Sequence, residues 1–351
     1  MTSSGAAATY RLRMRSKVSA AVVLLSLVAA CSGGKAAVKV SATPSPTPSA
    51  TAPASLKPAA ATDFLTGLAH RATGPLVGIK VDNAVLARPY QTGLGQAALV
   101  YEELVEGGST RLLAVYESDV AGSVEVGPIR SVRESDVELV RTFGKLAVGF
   151  SGGNSGVKDI VRAAAGAGWM VDASYDVVPQ AYRLGAVRAD ARNFFSAPSR
   201  LAALRPGSGP RDIGLRFGPV PAAGSRTATA VASYSSQTRV SVTYSPATHT
   251  WSVAQDGRLM DGVAPANIVV QRVVERGSRF SDVHGQPTPY TVTVGSGSAV
   301  VLRDGRRIAA NWTRDNYGQT HYRTTGGKDV ALRPGPTWIL LLPTSGSISF
   351  G

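Results

Sequence analysis

From residue 75 the chain settles into short apolar runs separated by polar turns, and the period of each run predicts an element. "PLVGIKV" (75–81) is a β-branched apolar run ending at Asp82-Asn83, the pattern of a buried strand that reaches a turn. "GLGQAALVYEELVE" (93–106) predicts a short helix leading into a strand, broken by Gly107-Gly108, and "TRLLAVYES" (110–118) predicts a second strand. In "SVRESDVELVRTFG" (131–144) the apolar residues 132, 137, 140 and 143 fall close to helical spacing. "KLAVGF" (145–150) reads as a third buried strand. It passes through "SGGNSG" into a small-residue helix (157–168) and then "WMVDAS" (169–174). Strands alternating with helices predict an α/β N-terminal domain, a layered sheet with flanking helices, over residues 63–210.

The texture changes from about residue 225. "RVSVTYS", "THTWSVAQDGR", "NIVVQRVVER", "SAVVLRDGRRIAANWTRD", "THYRTTGG" and "TWILLLP" are short runs punctuated by Gly and Asp-Gly, which predicts hairpins in a β-rich C-terminal domain over 225–351. The turn-rich stretch between them places a linker at 211–224, and no internal repeat is evident.

The first 62 residues have a different character. Arg11, Arg13, Arg15 and Lys17 form a positive region ahead of the short apolar core "VSAAVVLLSLVAA" (18–30), which is too short for a comfortable permanent span. The core ends at "LVAAC", and Cys31 is the only cysteine of the 351 residues. A branched apolar residue, two small ones and a cysteine form a bacterial lipobox, so residues 1–30 are expected to be a lipoprotein signal peptide and Cys31 the lipidated residue. Residues 31–62, rich in Ser, Thr, Pro and Ala, cannot bury enough apolar surface to fold and are expected to act as a disordered tether. Together these features predict lipid anchoring to the cell membrane on its extracytoplasmic face.

Charge refines the list of partners. The formal net charge is +14, with seven basic and no acidic residues in 1–62, fifteen of each in 63–210, and fifteen against eight in 211–351. Half of the excess lies in the leader and tether and the rest is scattered, without the basic stripe and interleaved aromatics of nucleic-acid readers, so no nucleic acid is expected. An anionic membrane surface or envelope polymer would use the same charge without base readout.

Candidate chemistry clusters in the N-terminal region. In "VGPIRSVRESD" (126–136), Ser131 to Glu134 fits a capping box, which would set Arg130 just before a helix and Arg133 in its first turn. Cations are disfavoured at that end, so the two guanidiniums await either an internal carboxylate from Glu102, Glu103, Glu106 or Glu134, or an external phosphate or carboxylate. "FSGGNSGVKD", with Gly152 and Gly153, is a strand-to-helix turn able to cradle an anion, but it lacks the Walker and dinucleotide spacings. Asp82 and Asn83 end a strand where the ligand crevice of an open α/β sheet lies, and either a base or a turn-forming Asx fits there. His70, His249, His284 and His321 are dispersed and without metal-ligand spacing, so neither a metal nor a cofactor is expected.

These motifs resemble the YerB-type lipoproteins of the DUF3048 family. The N-terminal resemblance rests on Asp82-Asn83, Ala87-Arg88-Pro89, Gly93-Leu94, Val100-Tyr101-Glu102, Val105-Glu106-Gly107-Gly108, Thr110-Arg111 and Gly127-Pro128-Ile129-Arg130-Ser131. The C-terminal resemblance rests on Trp312, Arg314, Pro334-Gly335 and Trp338-Ile339. It implies a lipid-anchored, extracytoplasmic, two-domain protein and no established activity. Many relatives carry a histidine before the Gly-Gly pair and a Pro-His-Asn, where this chain reads Phe150-Ser151-Gly152-Gly153 and Ala191-Arg192-Asn193. Loss of the histidines with retention of arginines and acids favours anion binding over histidine-dependent chemistry. The expected ligand cleft comprises Asp82, Asn83, Arg88, Glu102, Glu106, Arg111, Arg130, Arg133, Gly152 and Gly153, and its expected ligand is an anionic envelope component such as a phosphorylated glycan or lipid-linked precursor. An enzyme acting on the same class of ligand (a phosphotransferase or hydrolase) and a non-catalytic assembly factor are the alternatives.

Overall fold

Apolar runs need partners on both edges and cover on both faces, and here one sheet supplies most of the edges. The computed structural model describes residues 62–70, 72–187, 192–220, 224–282, 284–316 and 318–351; the expected signal peptide, Cys31 and all but the last residue of the tether lie outside them. The N-terminal region forms strands β1 (Leu76–Asp82), β2 (Leu99–Leu104), β3 (Thr110–Glu117), β4 (Val126–Ile129), β5 (Leu146–Gly149), β6 (Met170–Asp172), β7 (Arg183–Val187) and β8 (Arg192–Ser196). Its helices are α1 (Ser118–Ala121), α2 (Glu134–Val140), α3 (Ser155–Gly166) and α4 (Pro198–Leu204).

The C-terminal region adds β9 (Ser225–Arg226), β10 (Thr229–Ser233), β11 (Arg239–Ser245), β12 (Thr250–Gln255), β13 (Arg258–Leu259), β14 (Asn267–Val273), β15 (Glu275–Ser281) and β16 (Pro287–Thr291). It finishes with β17 (Gly295–Arg303), β18 (Arg306–Arg314), β19 (Thr320–Arg323), β20 (Thr337–Pro343) and β21 (Ser347–Phe350).

The large sheet runs β19-β18-β17-β14-β20-β2-β3-β1-β4-β8-β7, with β5 and β6 continuing from β1 and β9 on β18. The seam between the two regions is β20 beside β2. "TWILLLP" pairs in parallel with β14 on one edge and with β2 on the other. That explains why it is buried at all seven positions rather than alternating as a half-exposed hairpin strand would. The expected α/β layering of the N-terminal region holds only in part. β1, β5 and β6 are parallel, and α3 crosses from β5 to β6. The β1–β3, β2–β3, β4–β8 and β7–β8 pairs are antiparallel. The turn at 105–109 returns the chain antiparallel from β2 to β3, and residues 83–98 carry it from β1 to β2, parallel strands on either side of β3, through two short 3-10 turns instead of an α-helix.

One face of the large sheet holds Leu76, Leu99, Tyr101 and Leu113 against Val137 and Val140 of α2, Val157 and Val161 of α3, and Trp312 and Ile339 from the C-terminal region. The other face holds Val77, Ile79, Val100, Leu112 and Trp338 against Leu201 of α4 and Val240, Trp251 and Val253 of a five-stranded sheet, β13-β12-β11-β10-β21. β15 and β16 form a separate two-stranded arm. The turns Asp256-Gly257 and Asp304-Gly305 both have positive φ at each residue, the type I′ geometry that the Asp-Gly pairs predict for tight hairpins.

Candidate functional site

The pleat of β2 divides the candidate residues between two faces. Glu102 and Glu103 are consecutive in that strand, so their side chains leave on opposite sides. Glu103, Arg111 and Asp82 are partners across β2, β3 and β1, which puts them on one face together with Lys80, two residues before Asp82. Glu102 and Asn83 go to the other.

On that second face Glu102 is fully buried. Its Oε1 accepts from Thr110 Oγ1 at 2.8 Å, Asn83 Nδ2 at 3.3 Å and Gln255 Nε2 at 3.0 Å. Its Oε2 accepts from Gln255 Nε2 at 2.8 Å and Trp338 Nε1 at 3.3 Å. Burial pushes the carboxyl up to about 7 against the pull of these donors. Gln255 and Trp338 belong to the C-terminal region, so Glu102 ties the two regions together and leaves no room for a substrate. Asn83 is held by its own bonds to Thr110 at 2.7 Å and from Gln91 at 3.0 Å.

At this end the first face, apolar further along at Tyr101 and Leu113, becomes charged. Lys80, buried in the run "LVGIKVD", reaches Glu103 at 2.5 Å and Asp136 at 2.7 Å. Ser135 Oγ donates to Glu103 at 3.0 Å. Burial, joined by the neighbouring Asp136 charge, raises the Glu103 carboxyl, with Lys80 opposing. Asp136 also accepts the Arg133 backbone N–H at 2.7 Å. This shifts the helix start: Arg133, rather than Ser131, is the N-cap of α2, because Asp136 and not Glu134 reaches back. Glu134 turns outward to Ser278 and Arg279 of the β15–β16 arm.

Arg130 and Arg133 therefore precede the helix, and they are treated differently. Arg133 is internally satisfied. Its Nε and Nη2 donate to Glu106 Oε2 at 3.1 and 2.5 Å, and its Nη1 donates to the Ser131 and Val132 carbonyls. Glu106 is completed by the Thr288 hydroxyl of the arm, 2.5 Å away. Burial raises that carboxyl, but the Arg133 charge and these bonds outweigh it and hold Glu106 below its ordinary value.

Arg130 lies with Nε 3.2 Å from Asp82 Oδ2, out of hydrogen-bond alignment, and its side chain is 29% exposed. Arg111 is 7% exposed, and its closest carboxylate oxygen, Asp82 Oδ1, is 3.8 Å from Nη2. Its buried Nε and Nη1 have no hydrogen-bond partner among the described residues. Burial lowers Arg111 to about 10, with Asp82 opposing and the Arg133 and Arg130 charges adding to the fall. Three guanidiniums thus share two carboxylates. Asn193, next to Phe194, which pairs with Ile129, comes opposite the Arg130 end of β4. It is fully buried, and neither Oδ1 nor Nδ2 is bonded among the described residues. Gly152 and Gly153, both at positive φ, close this edge: Gly152 O accepts from Val132 N and Ser151 N donates to Arg130 O.

The fold does not gather all ten expected residues into one cleft. Asp82, Glu106, Arg111, Arg130, Arg133, Gly152 and Gly153 come together; Asn83 and Glu102 lie on the opposite face. Arg88 joins Asn83 and Glu102, donating to Asn83 O at 3.1 Å, and pairs with Asp256 at 2.7 Å on the wall of a cavity. Of the family departures, Phe150 is buried in the apolar core, Arg192 is exposed and Ala191 lies outside the described residues. Lys80, Asp136 and Gln255 escaped sequence reasoning, and Asn193 and Trp338 entered it only through the family resemblance, with no role at a site. The one signal was Lys80, a cation inside an apolar strand, which demands a buried partner.

A strand-rich chain in which two sequence regions share a sheet, with an uneven arginine cluster at one end of the first, defines the class. Two family models match it in succession, described as the N-terminal domain (residues 65–210) and the C-terminal domain (residues 230–339) of the protein of unknown function DUF3048. The chain belongs to that family. A relative from Bacillus subtilis (strain 168), described as "Putative lipoprotein YerB", is 43% identical over 72 residues, a match spanning 20% of this chain and 21% of the relative. The crystal structure of YerB protein from Bacillus subtilis superposes with a TM-score of 0.66 at 24% identity, covering 82% of this chain and 99% of the other, a likeness of fold. No helix among the described residues is long and apolar enough to cross a membrane.

Proposed function

We propose that the protein is a lipid-anchored envelope lipoprotein that binds a phosphate- or carboxylate-bearing envelope component at Arg111, Arg130 and Asn193, beside the Gly152-Gly153 turn. The anchor is Cys31, in line with the lipobox and with the description of the Bacillus relative. The observation that carries the binding reading is Arg111. A buried guanidinium with two nitrogens unbonded among the described residues costs several kcal/mol that Asp82, 3.8 Å from its Nη2, returns only in part. An oxyanion between Arg111 and Arg130 would take both a charge-assisted bond and the excess positive charge, and Asn193 could donate to it. Arg133 and Glu106 serve as its rigid border rather than as ligands.

An assembly role in which the charges are internal glue has its own support in the Arg133–Glu106 and Lys80–Glu103–Asp136 pairings. The two readings part on one experiment. Inorganic phosphate and pyrophosphate are titrated into the soluble mature protein, followed by thermal shift and calorimetry, with Arg111→Met as the variant. Under the binding reading either anion raises Tm saturably and the variant abolishes the rise. A flat response to both anions, or a rise unchanged in the variant, leaves only the glue reading. For the anchor, Cys31→Ala is expected to abolish labelling by a palmitate analogue and to release the protein from the membrane fraction.

A further inference from the structure

The second concave feature lies away from the arginine cluster, between the turn carrying Arg88 to Gln96 and the hairpin carrying Gln255 to Val263, and encloses about 320 Å³. That is near the lower end of the ~300–1,000 Å³ typical of small-molecule sites. Its polar groups are fixed by backbone geometry. The type I′ turn Asp256-Gly257 sets Arg258 directly opposite Gln255 in the β12–β13 ladder. Gln255 is fully buried, and because its amide nitrogen is spent on Glu102, its Oε1 is left without a donor. Arg258 and Asp261 are exposed and form no ion pair among the described residues, although both line the cavity. Leu94, Met260 and Val263 supply a buried apolar patch on the same wall.

We propose that this cavity binds a small zwitterion of the amino-acid type, a free amino acid or dipeptide with an apolar side chain. Its carboxylate pairs with Arg258, its ammonium pairs with Asp261 and donates to Gln255 Oε1, and its side chain lies on Leu94, Met260 and Val263. A cation and an anion standing unpaired beside one buried acceptor match a ligand carrying both charges and donor hydrogens; a purely anionic ligand would be repelled by Asp261. Because Gln255 bonds Glu102, whose network joins the two regions, occupancy would be read at the seam between β2 and β20.

The test is calorimetry on the soluble mature protein with leucine and with the dipeptide Ala-Leu, alongside N-acetyl and C-amide forms of each. Saturable binding is expected for at least one parent compound, and which of the two binds separates free amino acid from peptide. Acetylation or amidation should each weaken binding about tenfold or more, the loss of one charge-assisted contact. Arg258→Ala should remove the discrimination against the amide, and Asp261→Asn the discrimination against the acetyl form. Both residues are exposed, so folding is spared. Gln96→Trp, at an exposed lining position, should block the cavity, whereas Arg111→Met should leave binding unchanged, which keeps this site separate from the anion site. No binding of either parent compound, or binding indifferent to Arg258→Ala and Asp261→Asn, overturns the proposal.

Discussion

Glu102 and Arg111 occupy neighbouring rows of one sheet, both buried, and the fold treats them in opposite ways. Glu102 faces four neutral donors from both regions of the chain, so its hydrogen bonds are satisfied and its carboxyl is held in one place even though burial raises it. Arg111 feels the carboxylates of Asp82 and Glu106 and two other guanidiniums, and its Nε and Nη1 meet no acceptor among the described residues. A buried polar group that is fully satisfied acts as a fastener. One left half-satisfied costs stability on its own and gains it back only from something that binds.

The contrast can be broken from the fastener side first. Trp338→Ala removes a buried indole from the strand that joins the regions and leaves Glu102 Oε2 one donor short. A loss of about 3–5 kcal/mol is expected in urea denaturation. A loss near zero would mean that the seam is not where the regions are held.

The same fastener carries a pH signature of comparable size. Glu102 rises from 4.5 to about 7, and the less buried Glu117 and Glu275 each rise to about 8. A carboxyl raised in the folded state binds its proton more tightly there, so its stabilising contribution is full below the unfolded value and is lost as pH climbs through the folded one. Tm should therefore fall as pH is raised from about 5 to about 8.5, with Glu102 accounting for roughly 3 kcal/mol of the loss. Glu102→Gln should flatten the lower half of that slope in a pH series of thermal melts.

On the other side of the comparison the sign reverses. Arg111→Met is expected to raise stability by about 1–2 kcal/mol in phosphate-free buffer, because an apolar side chain of similar length replaces an under-paired buried charge. A destabilisation of the size seen for Trp338→Ala would make Arg111 a fastener too. The smallest effect belongs to Arg279→Ala, an exposed residue of the arm that pairs with Glu134 of α2. Less than about 0.5 kcal/mol is expected, and less still at high salt.

Much of this could be read along the chain. The strands at 76–82, 110–117 and 146–149 announce themselves as apolar runs, α3 as a small-residue helix, and the Asp-Gly turns as hairpins. Arg130 and Arg133 stood out because cations at a helix start need a reason. Which reason applied to each was not legible, since it depended on Glu106 and Asp82, 27 and 48 residues away, and on the Thr288 hydroxyl of a distant arm. Glu102 and Glu103 looked like one acidic patch; only a strand's two-residue period, once the strand was placed inside a sheet, sent them to separate networks.

The sequence by itself determined where strands and turns fall, that the N-terminal region carries balanced charge, and which residues were costly enough to demand partners. These are local properties of period, propensity and desolvation. The tertiary structure decided who the partners are. It inserted β20 between β14 and β2, so that two sequence regions became one sheet and Glu102 acquired Gln255 and Trp338. It paired Arg133 fully and left Arg111 short, because hydrogen-bond satisfaction depends on contacts between residues far apart in the chain, and no local pattern encodes those.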